Sequence, residues 1–396
     1  MKRLFLLLTV CGSIFFLSGC WDRVEINDLA IVTGAAIDKK GDNDVELTIQ
    51  VFLPNAISSG GGQSGGGGSS GGALTIVTSE KGINLADALS KVQGNLPRKV
   101  FWGQCKVFIF GERLAKEGIQ KQVDFLLRHP QTRERAYLFV GKGKARQYLE
   151  STPKLERTSS EVIRELAKAR IGMDATMKDM DEMLMGKAQA AALPYLLPKT
   201  YKQKPKESIL VPRIFGTAIF RKDRMVGTIT ERETRGVIWL KNEIKGYTVN
   251  VNPKNTAGDV SLDPVSARIR LIPEIQTGEW KMKVQVKTEG TVVQNRTNFS
   301  ISDPQFLRIV EKAYQESIKK RIHLALQPVQ HKLKVDIVGF ADEFYRKYPK
   351  QFKRVENRWD EVFPNVRVIL DVEAHIRRQG SIIEPGGLPE DKVKEK

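Results

Sequence analysis

The sequence has little cysteine and little histidine, and both shortages restrict its chemistry. Of 396 residues, three are cysteine and four are histidine. Cys11 and Cys20 lie near the N-terminus, so Cys105 is left alone in the body of the chain and has no partner for an intramolecular disulfide. Folding is therefore expected to depend on packing. Cys105 lies in an apolar run, which predicts a buried and inert thiol.

The sequence also lacks the familiar patterns of catalytic and metal sites. None of the histidines has a second ligand at metal spacing; these residues are His129, His323, His331 and His375. No Gly-x-Ser-x-Gly, His-Glu-x-x-His or Gly-x-Gly-x-x-Gly motif occurs. Carboxylate pairs such as Glu231 and Glu233 have arginine neighbours, which favours ion pairs or helix caps over acid–base catalysis. The sequence predicts a protein that is not an enzyme and has no metal or cofactor.

Acidic residues are the minority among the charged ones. Lysine and arginine number 64 and aspartate and glutamate 46, which gives a formal net charge of +18. Such a charge balance is compatible with nucleic acid, an anionic membrane or an acidic protein as the partner. It is equally compatible with surface charges that only keep the protein soluble. A secreted protein does not normally meet nucleic acid. The N-terminal sequence therefore bears on this choice.

Long apolar runs are missing after the first 20 residues. Lys2 and Arg3 precede an apolar stretch, residues 4–17, that is shorter than the roughly 20 residues of a membrane span. It ends in a sequence that resembles a lipobox, formed by Leu17, Ser18, Gly19 and Cys20. We expect residues 1–19 to be a lipoprotein signal peptide. Diacylglycerol and an N-acyl chain on Cys20 would then anchor the mature protein on the outer face of a membrane.

The patterning of the mature chain predicts an α/β or α+β fold with two or three mixed α/β domains. An opening hairpin followed by alternating strands and helices predicts an N-terminal mixed α/β domain over residues 20–193, and its predicted helices include residues 114–128 and 174–191. Residues 58–72 are serine, glycine and one glutamine, which predicts a flexible loop. Residues 194–205 hold three prolines and three lysines without periodicity, and they are predicted to be a linker.

Beyond this segment, residues 206–380 are predicted to form a C-terminal α+β domain. Apolar and basic residues alternate over 265–271 and 280–287, which indicates antiparallel strands with one wet face. A helix is predicted to begin at Asp303 and Pro304, because the apolar residues that follow recur at helical spacing as far as Gln327. This long amphipathic helix is expected to pack across the antiparallel sheet. Residues 381–396 are rich in proline, glycine and charge, which predicts a flexible tail.

Two sequence runs carry a specific pattern. The first covers residues 19–29 and continues to 34–38; it includes Trp21, Asp22, Arg23 and Glu25. The second covers residues 216–220 and 230–236; its charged and glycine positions are Glu231, Arg232, Glu233, Arg235 and Gly236. In order and spacing these runs resemble the Ger(x)C family, the C-subunit lipoproteins of spore germinant receptors. The serine and glycine tract departs from the family pattern but disturbs neither run.

The resemblance implies a place on the outer face of the inner membrane of a spore. The partners that it implies are membrane-embedded A and B subunits and the phospholipid surface, with no nucleic acid. The complex would sense nutrients and start germination. No role for the residues of either run follows from the resemblance.

Two hypotheses about mechanism stay open. One is a docking and assembly scaffold, which the missing catalytic pattern and the anchor favour. The other is a solute-binding lipoprotein that captures a nutrient and delivers it to a membrane partner. It predicts a polar pocket and a hinge with more than one crossing strand, whereas the sequence offers a single proline- and lysine-rich crossing at residues 194–205. A cell-wall hydrolase would need paired catalytic carboxylates or a metal, and neither pattern is found.

Overall fold

The structure is a computed structural model that describes residues 25–53, 75–151, 156–169, 172–204, 207–244, 246–254 and 256–378. Several predicted features lie outside these residues. They are the lipobox with Cys20, the adjoining Trp21, Asp22 and Arg23, the serine and glycine tract 58–72, and the tail 381–396.

The described strands are β1 (Leu29–Lys40), β2 (Asp44–Phe52), β3 (Thr75–Gly82), β4 (Lys99–Phe101), β5 (Val107–Gly111), β6 (Tyr137–Gly141), β7 (Ala190–Lys204), β8 (Glu207–Arg221), β9 (Arg224–Thr230), β10 (Val249–Val251), β11 (Val260–Gln276), β12 (Glu279–Asn295) and β13 (Arg367–Arg378). The described α-helices are α1 (Leu85–Gly94), α2 (Glu112–Glu117), α3 (Gln120–Arg128), α4 (Arg146–Leu149), α5 (Ser159–Lys168), α6 (Met177–Met185), α7 (Glu231–Leu240), α8 (Pro304–Leu326), α9 (Phe340–Lys347), α10 (Pro349–Lys353) and α11 (Trp359–Val362).

The first sheet is mixed. Within the described residues it has nine strands in the order β3-β2-β1-β5-β6-β7-β8-β9, with β4 beside the start of β1. Strands β1, β5, β6 and β7 run parallel, and both outer ends of the sheet are antiparallel. The predicted opening hairpin is present, and Gly41 adopts a φ of 56° in its turn. This topology agrees with the predicted mixed α/β fold.

The second sheet has the order β10-β11-β12-β13. Strands β11 and β12 form a long antiparallel hairpin, as the alternation predicted. The closing strand β13 runs parallel to β12, so this sheet is antiparallel except at that edge. A parallel neighbour needs a crossover connection, and α8 with the helices after it supplies one. Helix α8 buries one apolar stripe, formed by Phe306, Val310, Tyr314, Ile318, Ile322, Ala325 and Leu326.

The two sheets share an apolar core. One face of β7, β8 and β9 contributes Ala190, Ala192, Ile219 and Ile229 to the core that also contains α7, α8 and the second sheet. Neighbouring residues on the other face of the same strands, such as Ala191 and Phe220, belong to the core of the first sheet. Because successive strand residues point to opposite faces, these three strands join both cores.

The predicted linker at 194–205 is wrong for the part that is described. Residues 190–204 form β7, which pairs with β8 over their length, and only Pro205 of the predicted linker is not described. Prolines are tolerated there because β7 and β8 extend beyond β6 and β9 as a two-stranded ribbon, where outward N–H groups have no strand partner. The pair Pro198 and Pro212 lies in register in this ribbon.

Candidate functional site

The second part of the second sequence motif, residues 230–236, lies at a helix start. Thr230 is the N-cap of α7, and its hydroxyl accepts a hydrogen bond from the Glu233 backbone at 3.5 Å. The Glu233 carboxylate in turn accepts from the Thr230 backbone N–H at 2.6 Å. This reciprocal pair is a capping box, which satisfies N–H groups that no helical carbonyl reaches. Glu231 bonds Arg235 one turn later at 2.6 Å and Arg213 at 3.4 Å. These acidic residues stabilise the helix by capping and ion pairing, the roles that the sequence predicted for them.

Gly236 is the contact point of two helices. A Cβ atom on this residue would lie 2.1 Å from the Arg321 carbonyl oxygen and 2.6 Å from the Ala325 Cβ atom of α8. A side chain would therefore separate the helices, and glycine allows their backbones to meet. The motif residue thus has a packing role in the shared core.

Two arginines lie on one aromatic ring beside this crossing. The guanidinium carbons of Arg235 and Arg321 lie 4.9 and 5.5 Å from the centre of the Tyr247 ring. Burial raises the pKa of the Tyr247 hydroxyl, which accepts a hydrogen bond from the Trp239 indole at 2.6 Å. Cation–π contacts of this kind become stronger as water is excluded. They fix the loop after α7 against α8.

The remaining motif residues do not join a common site. Arg232 is exposed on α7 and takes part in no ion pair within the described chain. Glu25 is exposed and precedes a short 3-10 turn that leads into β1. The structure therefore brings together Glu231, Glu233, Arg235 and Gly236, and it leaves Arg232 and Glu25 at the surface.

A large open cleft lies where the first sheet's helices face the second sheet. We call it the acidic cleft; its volume is about 1120 Å³. Its charged residues are Asp174, Asp179, Glu182, Glu243, Asp336, Asp342 and Glu343 against Lys241 and Arg270. Such an acidic lining stands out in a chain with a net charge of +18. Desolvation raises the pKa of Glu243, although Lys241 lies 3.5 Å away and opposes the shift. The cleft is suited to positively charged groups.

One wall of the acidic cleft is organised by a fully buried carboxylate. Asp336 accepts hydrogen bonds from the backbone N–H groups of residues 338–341 at 2.7 to 3.2 Å. Its second oxygen also accepts from the Trp359 indole at 3.0 Å. Burial raises the pKa of Asp336, and these donors act in the opposite direction by stabilising its charge. The carboxylate holds the loop that starts α9.

Sequence reasoning missed the acidic cleft because its residues come from positions 174 to 343. Asp336 alone gave a local signal, since it is an acid among apolar residues followed by Gly339. Cys105 is buried, as predicted, and burial raises the pKa of its thiol. Across the described residues, no group of three or more His, Cys, Asp or Glu side chains is placed to hold a metal ion. None of the described helices combines the length and apolarity needed to cross a bilayer.

Comparison with known proteins connects this architecture to one family. Residues 22–197 match the model of the spore germination protein N-terminal domain, and residues 215–380 match the spore germination B3/GerAC-like C-terminal model. The putative spore germination protein YfkR of Bacillus subtilis (strain 168) is 30% identical over 91% of this chain and 92% of its own length. The chain belongs to the spore germination family of GerAC-like proteins. The resemblance to the C-subunit family of germinant receptors is thereby confirmed.

Other members of the family align over a similar length. Spore germination protein KC of Bacillus subtilis (strain 168) is 27% identical over 96% of both chains. The crystal structure of the GerBC protein has a TM-score of 0.55 at 19% identity and covers 87% of this chain and 97% of its own. That likeness supports the mixed α/β fold of the GerAC-like chain. Both segments matched by the family models meet in the shared core.

Proposed function

We propose that this GerAC-like chain is the lipid-anchored C subunit of a spore nutrient germinant receptor. Diacylglycerol and an N-acyl chain on Cys20 would hold it on the outer face of the spore inner membrane. There it acts with membrane-embedded A- and B-type subunits as a docking and assembly scaffold that allows germination to start. Family membership supports a role in spore germination, and the lipobox-like sequence of residues 17–20 supports the lipid anchor.

The shared core is the observation that carries the scaffold role. Strands β7 to β9 contribute one face to each core, so the two halves of the chain are packed as one body. Polar contacts strengthen this junction, since Arg221 donates to the Leu333 carbonyl at 3.0 Å and Lys187 bonds Glu356 at 2.9 Å. A body of this kind presents fixed surfaces to its partners.

The acidic cleft favours solute capture as a second candidate. An ammonium group of a nutrient amino acid would find several carboxylates there, and Asp179 and Glu243 are among them. A capture protein usually closes its lobes about a hinge. Here one face of each of β7, β8 and β9 is packed into the shared core, which opposes such a closure. We therefore place the scaffold first.

Two measurements separate these functions. Purification of the lipidated chain from membranes that contain both partner subunits should retain the A and B subunits without added nutrient. Calorimetric titration of the lipidated chain in detergent with amino acids, sugars and nucleosides should give no saturable heat. Saturable heat that disappears on Glu243→Gln would instead assign solute capture to the acidic cleft.

The anchor is tested separately. Replacement Cys20→Ala should abolish incorporation of acyl label and prevent maturation before residue 20, while Cys105→Ala should leave both unchanged. Equal acyl labelling of the Cys20→Ala variant and the unaltered chain would refute the anchor.

A further inference from the structure

A strongly basic surface covers the end of the second sheet. We call it the basic surface and define it by six exposed cations, Arg346, Lys347, Lys350, Lys353, Arg354 and Arg358. They lie on α9, on α10 and the residue that caps its end, and on the 3-10 turn that follows, over only 13 residues. With Glu343 and Glu356, the segment 343–358 carries a net charge of +4.

Aromatic packing holds these cations on a fixed base. Phe344, Phe352 and Trp359 are buried beneath them. The ring centres of Phe352 and Trp359 lie 5.2 Å apart, and those of Phe344 and Trp280 lie 4.8 Å apart. The apolar side of this helical segment is therefore occupied by the core, and its cations project outward. Tyr345 is exposed beside these cations, with the Lys187 ammonium group 4.2 Å from its ring centre, so the segment presents charge rather than a continuous apolar face.

Most of the basic surface has no internal counter-charge. Arg346 pairs with Glu343 at 2.7 Å, and Lys347 donates to the Pro273 carbonyl at 2.9 Å. Glu356 is held by Lys187. In the described part of the chain, the other four cations, which are Lys350, Lys353, Arg354 and Arg358, form no ion pair. The exposed carboxylates of Asp360 and Glu361 follow them in sequence.

We propose that the basic surface docks on anionic phospholipid headgroups. The inference rests on the proposed anchor, because a tether at Cys20 keeps a lipid surface at high effective concentration. Three of the six cations are lysines, which act as flexible point charges, and none of the six lines the acidic cleft. A flat anionic layer needs no shape complementarity, which suits cations spread over consecutive exposed turns.

Acidic residues at the start of α9 and basic residues at its end give the docked chain an orientation. Asp342 and Glu343 in the first turn of this helix line the acidic cleft, and its last turn and continuation carry the basic surface, with the Glu343–Arg346 ion pair at the boundary. An anionic membrane attracts the basic surface and repels the cleft. The tethered chain therefore turns the basic surface toward the headgroups and keeps the cleft accessible from the aqueous side.

Lysine footprinting of the full lipidated chain tests this orientation. The chain is reconstituted on vesicles of phosphatidylcholine alone or with phosphatidylglycerol, and acetylation rates are read by mass spectrometry. Lys350 and Lys353 should react about tenfold more slowly on the anionic vesicles, since each cation near such a surface adds to the attraction. High salt should remove this protection. The exposed residues Lys312 and Lys320 of α8 should react equally on both vesicles.

Matched variants separate the docking from the anchor. Lys350→Glu, Lys353→Glu and Arg354→Glu together should abolish the salt-dependent protection of the neighbouring Lys347. The control, Arg308→Glu, Lys312→Glu and Lys320→Glu, changes net charge equally on exposed positions of α8 and should leave protection intact. Equal acetylation on both vesicles by a chain that floats with them would overturn the docking. A chain that does not float with neutral vesicles would instead refute the anchor.

Discussion

Gly236 and Arg321 meet backbone to backbone, because a Cβ on the glycine would lie 2.1 Å from the arginine's carbonyl oxygen. This contact sets the distance between α7 and α8. It also explains why a specific sequence motif ends in glycine at a position that is helical and buried. The motif thereby links a surface capping box to the centre of the shared core.

Gly236→Ala is expected to destabilise the protein by about 1–3 kcal/mol, because the helices must separate to admit a methyl group. Urea unfolding followed by tryptophan fluorescence measures the loss. Gly94→Ala is the control, since Gly94 ends α1 with no atom within 4 Å of an added Cβ. That change should be neutral or stabilising. Equal effects of the two substitutions would contradict the role of the helix contact.

Thr230→Ala should lower the free energy of unfolding by about 1 kcal/mol, because the capping box loses its hydroxyl. Arg232→Ala serves as control on the exposed side of the same helix and should change stability little. Thermal unfolding of both variants provides the measurement. A larger loss for Arg232→Ala than for Thr230→Ala would show that the charged motif has a structural role other than capping.

Asp336→Asn is expected to cost about 3 kcal/mol or more. The carboxylate oxygens accept four backbone N–H groups and the Trp359 indole, whereas an amide must turn its own N–H groups toward some of these donors. Asp360→Asn is a matched control at an exposed site. Chemical denaturation measures both variants. Equal stability of the Asp336→Asn variant and the unaltered protein would show that these hydrogen bonds contribute little.

His129 predicts a dependence of stability on pH. Partial burial lowers its pKa below the ordinary 6.5, and its ring packs on Trp102 and Phe125. The unfolded chain then binds the proton more readily, so the His129 contribution to stability is lost as pH falls through about 6.5. His129→Gln should flatten the curve of unfolding free energy against pH between about 5 and 7. An unchanged slope in His129→Gln would contradict the assignment.

Local patterns predicted much of the secondary structure. Strict alternation marked β11 and β12, and the apolar stripe marked α8 within two residues of its observed ends. A helix predicted over residues 114–128 is divided into α2 and α3 at Gly118, whose φ is 127°. The glycine was the available signal, because few other residues adopt that conformation.

Tertiary contacts overruled local propensity in the region that joins the two halves. The sequence predicted a helix to residue 191, but α6 ends at Met185 and the alanines at 190–192 lie in β7. Alanine favours helices in isolation, yet here it is small enough to pack on both faces of a buried strand. The proline and lysine content of the following ribbon then suggested a linker. Pairing with β8 is a long-range contact that composition does not encode.

The acidic cleft was beyond sequence reasoning for a related reason. Its two best-defined acids, Asp336 and Glu243, are 93 positions apart and are brought together by α8 and the second sheet. Acidic residues dispersed through a basic chain average out in composition. Only the folded chain gathers acidic residues into the acidic cleft and basic residues into the basic surface.

The shared core also bears on how such chains can change over evolutionary time. A cut between the segments matched by the two family models would separate Ala190 and Ala192 of the first segment from Ile219, Ile229 and the other core residues of the second. Recombination that exchanged one half between related receptors would have to preserve that fit. The two halves therefore behave as a single heritable unit, in which surface substitutions are tolerated more readily than exchange of one half.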